Sequence, residues 1–232
     1  MPANASRLAL VLAHFAALAT VLPAHAARPM ITDDARLVEA RACQVESWAR
    51  RNRDSTEFWA LPACNPTGNL ELTAGGARTN EAGSIRTTDQ QLQAKTLFKP
   101  LEPDGWGVGL AVGTVGHPGA RRDSYAYVPG SLSLLRDRIV LHANAGALRA
   151  GDERRTHPTW GLATEVQLDL RNTFVAEAFS QGTGASHQLG LRHWLVANRV
   201  QVDATYGNRN GGGTSERWFS LGLRLLSPPI LP

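Results

Sequence analysis

The sequence predicts an all-β protein, an antiparallel transmembrane β-barrel of about 12 strands, an even number. Apolar and polar residues alternate from residue 42 onward, the predicted strands are long, and short turns alternate with longer loops. A tilted strand of about 10 residues crosses an apolar band about 25 Å tall, with lipid outside and a polar interior. A soluble exported β-sandwich alternates in the same way and is the alternative fold.

The composition is that of a folded protein with a modest positive charge. Of 232 residues, 43% are hydrophobic and 19% are charged, and the formal net charge is +4. This balance excludes a disordered chain and a bundle of membrane helices. Basic residues are scattered among nearly as many acids, whereas nucleic-acid binding needs a clustered basic surface, so we expect no nucleic-acid partner.

The N-terminal part of the chain predicts export. One positive charge precedes the apolar run LALVLAHFAALATVL, and the small residues of PAHAA follow it, as in a cleaved signal peptide. We expect residues 1–26 to be the signal peptide. Residues 27–41 show no clear period and are expected to form an N-terminal periplasmic segment, extended or loosely packed. Residues 42–232 are expected to form the barrel.

Alternation with a period of two divides the remaining chain into predicted strands. In TWGLATEVQLDL, for example, Leu162, Val166 and Leu168 fall on one face, and Glu165 and Gln167 fall on the other. Turn residues such as CNPTG, HPGARR and GNRNGGG separate the strands. The predicted strands are roughly 42–51, 55–64, 68–77, 86–99, 105–116, 123–134, 138–149, 159–169, 173–181, 186–196, 199–207 and 214–226.

Turn lengths and aromatic positions favour the bacterial outer membrane. With the N-terminus in the periplasm, the periplasmic turns are short and most external loops are longer and polar, RNRD and QGTGA excepted. Outward aromatic residues lie near strand ends, where rings meet lipid headgroups. They are Phe58, Trp160, Tyr206 and Phe219 near the outer rim and Phe98, Trp106 and Phe174 near the inner rim. Expected partners are outer-membrane lipid, lipopolysaccharide and the barrel-assembly machinery.

The two cysteines predict a disulfide. Cys43 and Cys64 are the only cysteines, and export takes them into an oxidising compartment. If RNRD closes the first hairpin, they lie opposite each other on neighbouring strands, within reach of a disulfide when the pair geometry is right. We expect this disulfide at the periplasmic end of the hairpin; two free buried thiols are the alternative.

The segment RPMITDDARLVEARACQVESW resembles the start of a proteobacterial outer-membrane β-barrel transporter family of the phenol-degradation meta-pathway type. Its members begin with an Arg-Pro and Thr-Asp-Asp stretch that leads to a Gln-x-Glu first strand. The matching residues here are Arg28, Pro29, Thr32, Asp33, Asp34, Gln44 and Glu46. The resemblance implies an outer-membrane barrel for the passage of small solutes, with aromatic compounds as a candidate class. One departure is the C-terminus, SPPILP, where such barrels usually end in an aromatic residue.

Charged side chains on the inward face predict a network in the lumen. The LRN hairpin would place Glu165 opposite Glu177, and directly opposed like charges require a counter-ion. The next two hairpins would bring Arg192 close to Glu177 and opposite Asp203, with Lys95 as a further candidate member. These residues would form a selectivity constriction built from charged side chains. The alternative is a salt-bridged plug that fills a narrow barrel.

Three inward tryptophans form a second candidate site. Trp48 and Trp59 would lie near the outer ends of the first two strands, and closure would place Trp218 beside them. The three rings could stack against an apolar or aromatic ligand, or they could fill space. Gly107, Gly109 and Gly113 of the fifth predicted strand would leave interior room for a passage, or would allow a close approach of backbone.

The function favoured by the sequence is a channel or transporter for small solutes, without catalysis, cofactor or metal. A closed structural or surface-binding barrel is the second hypothesis, and a lipid-modifying enzyme is the third. An enzyme would need a serine activated by a histidine. His142 and Asn144 share a face, but no serine stands out as their nucleophile.

Overall fold

Twelve antiparallel strands form one closed barrel in the computed structural model, which describes residues 28–182, 184–211 and 214–232. Each strand pairs with its neighbours in sequence, and the first strand pairs with the last. The predicted all-β barrel with an even number of strands is confirmed. Within these ranges, no helix is long and apolar enough to cross a bilayer. The expected signal peptide, residues 1–26, lies outside the described residues.

The strands contain 9 to 16 residues, and closure leaves no free edge. They are β1 (Cys43–Arg51), β2 (Ser55–Cys64), β3 (Glu71–Glu81), β4 (Ser84–Lys99), β5 (Trp106–Gly116), β6 (Asp123–Leu134), β7 (Ile139–Ala150), β8 (Arg155–Gln167), β9 (Asn172–Ser180), β10 (Ala185–Val196), β11 (Val200–Gly211) and β12 (Thr214–Leu226). Strand β8 begins earlier than its alternation predicts, because Arg155 still pairs with Ala150 of β7.

The outward face of the barrel is apolar. Leu162 is 59% exposed and Leu221 is 55% exposed, although such side chains are usually buried in water-soluble proteins. Two levels of this face carry exposed aromatic side chains. Phe98 and Trp106 lie at strand ends, whereas Phe58, Trp160, Tyr206 and Phe219 lie three to five residues in from the opposite ends of their strands. An apolar band between two aromatic girdles is the surface that a barrel presents to lipid.

The predicted disulfide is present in the first hairpin. Cys43 and Cys64 pair directly across β1 and β2, their Cα atoms are 4.0 Å apart, and their sulfurs are bonded. Such close opposition is typical of a pair of residues that exchange no backbone hydrogen bonds, which brings the side chains together. The bond therefore links the two strands at the end where β1 begins.

Residues 28–41, here called the plug segment, lie inside the barrel. The lack of a period predicts a loosely packed periplasmic segment instead, and the structure differs on this point. Ala35 is fully buried and Asp34 is 2% exposed. The segment's backbone bonds to side chains of strands up to 173 residues away, as between Arg28 and Gln201, so no local pattern can report its position.

The plug segment packs closely against the wall of the barrel. Ala35 forms an apolar cluster with Leu97, Leu101 and Val140. A Cβ added at Gly107 would lie 2.6 Å from the backbone nitrogen of Leu101 and 3.0 Å from the Cβ of Ala35. Glycine in β5 therefore allows a close approach of backbone, and this part of the lumen is filled rather than open.

Candidate functional site

The plug segment is held through its main chain by polar side chains of the wall. Glu177 on β9 accepts hydrogen bonds from the backbone N–H groups of Ile31 and Thr32, each at 2.8 Å. Glu71 on β3 accepts one from the N–H of Val38, also at 2.8 Å. Buried N–H groups need acceptors, so these carboxylates replace the partners that a strand neighbour would supply.

Asn144 on β7 makes a reciprocal pair of hydrogen bonds with the main chain of the plug segment. Its Oδ1 accepts from the N–H of Asp33 at 2.6 Å, and its Nδ2 donates to the carbonyl of the same residue at 2.9 Å. An amide side chain offers both an acceptor and two donors, so it can match a peptide unit in this way. These two hydrogen bonds hold the main chain at Asp33 against β7.

Lys95 on β4 neutralises the acidic residues of the plug segment. Its Nζ lies 2.7 Å from Oδ1 of Asp33 and 3.1 Å from Oδ1 of Asp34, and Lys95 is 3% exposed. Tyr127 donates from its hydroxyl to the other oxygen of Asp33 at 2.8 Å. A buried cation must be paired, so Lys95 and the Asp-Asp pair depend on each other.

Arg28, at the start of the plug segment, occupies a site between β1, β11 and β12. Its Nη2 donates to Oδ1 of Asp203 at 3.1 Å and to the hydroxyl of Ser220 at 3.3 Å. The guanidinium carbon lies 4.1 Å from the centroid of the Trp48 ring, which places a cation on an aromatic face. Gln201 donates to the backbone carbonyl of Arg28 at 3.3 Å.

The structure joins only part of the predicted charge network. Arg192 binds both oxygens of Glu165, at 2.9 and 3.3 Å, and all of these atoms are buried. Arg192 is opposite Asp203 in register, as predicted, but Asp203 pairs with Arg28. Glu177 and Lys95 bind the plug segment instead of this pair. The proposed role of the five residues in selectivity remains a prediction.

Glu165 and Glu177 are not opposite each other. Glu165 pairs with Val175, and Glu177 pairs with Ala163, two residues from the predicted register. The cause is the turn: Asp169 accepts hydrogen bonds from the N–H groups of Arg171 and Asn172, which centres the turn one residue earlier. Hydrogen bonds from the Asn172 side chain and the Arg171 backbone hold the pKa of Asp169 below its usual value.

The three predicted tryptophans face the lumen but do not form one cluster. Trp48 and Trp59 pair across β1 and β2 and stack with centroids 5.3 Å apart. Trp218 is buried, donates from Nε1 to Gln188 at 3.2 Å, and stacks with the guanidinium of Arg50. Their role in binding a ligand remains a prediction.

The lumen also contains a chain of contacts between a serine, a histidine and a glutamate, which the sequence did not predict. The Ser131 hydroxyl lies 2.8 Å from Nδ1 of His142, whose Nε2 lies 3.4 Å from Oε1 of Glu165. The Ser131 oxygen also accepts from the N–H of Ala35 at 2.9 Å. Alternation places each residue on the inward face, but no local spacing signals that β6, β7 and β8 align them.

This chain of contacts anchors the plug segment. Ser131 is 6% exposed beneath Ala35, and Glu165 is already bound by Arg192. A catalytic serine needs a free path to its substrate. Here the hydroxyl instead links the plug segment to the buried Glu165–Arg192 pair.

A cavity of about 140 Å³ lies between the plug segment and the wall. It is lined mostly by charged and polar side chains, including Arg28, Asp33, Glu46, Glu71, Lys95 and Arg224. It has room for several water molecules, each of which needs polar partners of this kind. The lumen therefore holds a polar space that the plug segment does not fill.

Solved structures of similar fold are outer-membrane barrels. The KdgM porin in complex with disordered oligogalacturonate has a TM-score of 0.61 at 9% identity, over 78% of this chain and 98% of that chain. The NanC porin has a TM-score of 0.61 at 12% identity, over 79% and 98%. The COG4313 outer membrane channel from Pseudomonas putida F1 has a TM-score of 0.58 at 12% identity, over 87% and 99%. At these identities the likeness shows the fold.

No curated protein matches the sequence. A family model matches residues 14–226, which include all 12 strands and the plug segment. The chain belongs to the family described as Uncharacterised conserved protein UCP029691.

Proposed function

We propose that this protein is an outer-membrane channel for small solutes, inserted by the barrel-assembly machinery after export. The observation that carries the proposal is a closed 12-stranded barrel with an apolar exterior and a charged, polar interior. The barrels of similar fold are named as porins or as an outer membrane channel, which supports the same reading. Aromatic compounds are a candidate solute class, supported by the N-terminal resemblance and the Trp48–Trp59 stack.

Passage requires the plug segment to move. Its contacts with the wall are hydrogen bonds, ion pairs and the apolar packing of Ala35, all of which can open without breaking a covalent bond. When it leaves, Glu165, Glu177, Arg192, Asp203 and Lys95 line the lumen, and these charged side chains would select among solutes. The plug segment is thus the gate of the proposed channel.

A closed structural or surface-binding barrel is the second candidate function. The seating of residues 28–41 favours it, because Lys95, Asp34 and Ala35 are all at least 95% buried at the contact. A plug segment that never leaves would make the barrel impermeable. The two functions differ in conductance.

Single-channel conductance of Lys95→Met tests the gate. Loss of Lys95 leaves the buried Asp34 and Glu71 and the partly exposed Asp33 without their cation. Removal of one partner of a buried pair costs about 3–5 kcal/mol. We expect the wild-type protein in planar bilayers to show rare openings and Lys95→Met to show frequent or permanent ones.

Lys99→Met is the matched control, because Lys99 lies on the same strand but stacks on the ring of Trp106, with Nζ 3.9 Å from the centroid. It should conduct as the wild-type protein does. Folded Lys95→Met and wild-type barrels that both fail to conduct would contradict the channel and support the closed barrel.

Lipopolysaccharide is the proposed partner at the external rim. Arg51 lies opposite the outward Phe219, and Arg78 lies opposite the outward Phe58. Arg149 and Arg217 occupy corresponding exposed positions on β7 and β12. Guanidinium groups beside an aromatic girdle are placed to bind headgroup phosphates.

A further inference from the structure

The site that holds Arg28 is built from the wall, not from the plug segment. Asp203 and Ser220 supply the acceptors, Trp48 supplies the aromatic face, and Gln201 binds the backbone carbonyl. The Asp203 side chain is 0% exposed, and Ser220 is 4% exposed. A carboxylate, a hydroxyl and an indole face around one point form a receptor for a planar cation.

Gly222 makes room for the carboxylate of this site. A Cβ at position 222 would lie 2.4 Å from Oδ2 and 2.6 Å from Oδ1 of Asp203. Gly222 is opposite both Asp203 and Trp48 in the sheet, so the carboxylate lies over the glycine, between the strands that carry Asp203 and Trp48. Any other residue at this position would displace the carboxylate.

Arg28 makes fewer hydrogen bonds in this site than a guanidinium can make. Among the described residues, Nε of Arg28 and Oδ2 of Asp203 have no hydrogen-bond partner, although both atoms are buried. The pair is held through Nη2 and Oδ1 alone, whereas a guanidinium and a carboxylate can form two parallel hydrogen bonds. The cavity of about 140 Å³ adjoins Arg28 and is lined there by Gln44, Glu46 and Arg224.

We propose that this site, formed by Trp48, Gln201, Asp203, Ser220 and Gly222, binds solutes that carry a guanidinium group, and that Arg28 occupies it as an internal substitute. The inference rests on the proposed channel function and names its solute class. A solute in the site displaces Arg28, so solute binding and seating of the plug segment exclude each other. The bound solute thereby favours the open lumen.

A solute that binds this site must compete with Arg28, which is tethered to the same chain. A short tether holds Arg28 at an effective concentration in the millimolar range, and the other anchors of the plug segment add to its advantage. A free guanidinium therefore binds the wild-type protein weakly. Arg28→Ala removes the competitor and leaves the wall of the site intact.

Isothermal titration of the folded barrel in detergent tests the site with L-argininamide and L-lysinamide. Both are cations without a carboxylate, and only the first has a planar fork of donors. We expect Arg28→Ala to bind L-argininamide at least about tenfold more tightly than the wild-type protein does, and at least about tenfold more tightly than it binds L-lysinamide. Equal affinity of Arg28→Ala for the two amides would overturn the inference.

Two further variants identify the residues of the site. Adding Asp203→Asn to Arg28→Ala should abolish the preference for L-argininamide, whereas adding Asp54→Asn, in an exposed external loop, should not change it. If the Asp203 variant does not fold, Arg28→Ala with Gly222→Ala takes its place, since the new Cβ displaces the carboxylate. An unchanged preference for L-argininamide in whichever of these two variants folds would exclude the site.

Binding of L-argininamide in detergent does not depend on conduction, so the channel proposal and the guanidinium-site proposal can be disproved independently. A barrel that binds L-argininamide through Asp203 but never conducts contradicts the channel. A conducting barrel whose Arg28→Ala variant ignores L-argininamide contradicts the guanidinium site.

Discussion

Glu177 accepts hydrogen bonds from two successive main-chain amides of the plug segment, those of Ile31 and Thr32. Such an arrangement needs two acceptor oxygens on one side chain. Gln188 adds a donor, since its Nε2 binds the carbonyl of Pro29 at 2.7 Å. The Glu177 carboxylate and the Gln188 amide together orient the main chain of the plug segment at residues 29–32.

Glu177→Gln should loosen this part of the plug segment. The new amide has one acceptor oxygen, so one of the two N–H groups loses its partner, at a cost of about 1–3 kcal/mol. We expect amide hydrogen exchange at Ile31 and Thr32 to accelerate by about tenfold or more, as measured by mass spectrometry of the detergent-solubilised barrel. Glu57→Gln, the same change on β2, should leave it unaltered. Equal exchange in wild-type and Glu177→Gln protein would contradict the assignment.

At single residues the sequence predicts which side chains face inward, but not which of them meet. Alternation places Glu165, Arg192 and Asp203 in the lumen, and cross-strand register then brings Arg192 opposite Asp203. The partners differ because Arg28 comes from outside the sheet and takes Asp203. A one-residue shift of the turn at Asp169 moved Glu177 by two positions. Such errors arise because a strand's register depends on its turn.

The ends of the strands place a set of arginines on the lipid-facing side of the external rim. Arg78→Gln combined with Arg217→Gln should reduce the lipopolysaccharide that purifies with the barrel, because each lost charge-assisted hydrogen bond costs about 1.5–3 kcal/mol. Phosphate measured per barrel is the readout. Arg136→Gln with Arg171→Gln removes two exposed arginines from the opposite end and is the matched control. A similar loss in both double variants would exclude a specific rim contact.

Whole strands are the elements that the sequence predicts best. Most predicted boundaries agree with the structure within a few residues, because one face of each strand is apolar and the other polar along its entire length. The first hairpin agrees in detail, down to the pairing of Cys43 with Cys64. The plug segment is the exception, since Asp33 and Asp34 find their cation, Lys95, 62 and 61 residues away.

At the scale of the molecule, the apolar exterior requires lipid. Leu162→Arg places a charge on the outward face near the middle of β8, where it costs about 2–4 kcal/mol in a bilayer. Thr156→Arg places the same charge at the external end of that strand, where the cost is about 0–1 kcal/mol. We expect folding into liposomes to fall for the first variant and to remain normal for the second. Equal folding of the two would mean that hydrocarbon does not surround Leu162.

The anchors of the plug segment come from strands around the whole perimeter, from Glu71 on β3 to Asp203 on β11. The partners of Arg28 follow it by 175 and 192 residues. Arg28 therefore cannot pair with Asp203 and Ser220 until the last two strands have been synthesised, whereas Asp33 and Asp34 need only β4. We expect the Arg28 end of the plug segment to be seated only after the barrel closes, and a factor that held Arg28 during insertion would protect it from mispairing.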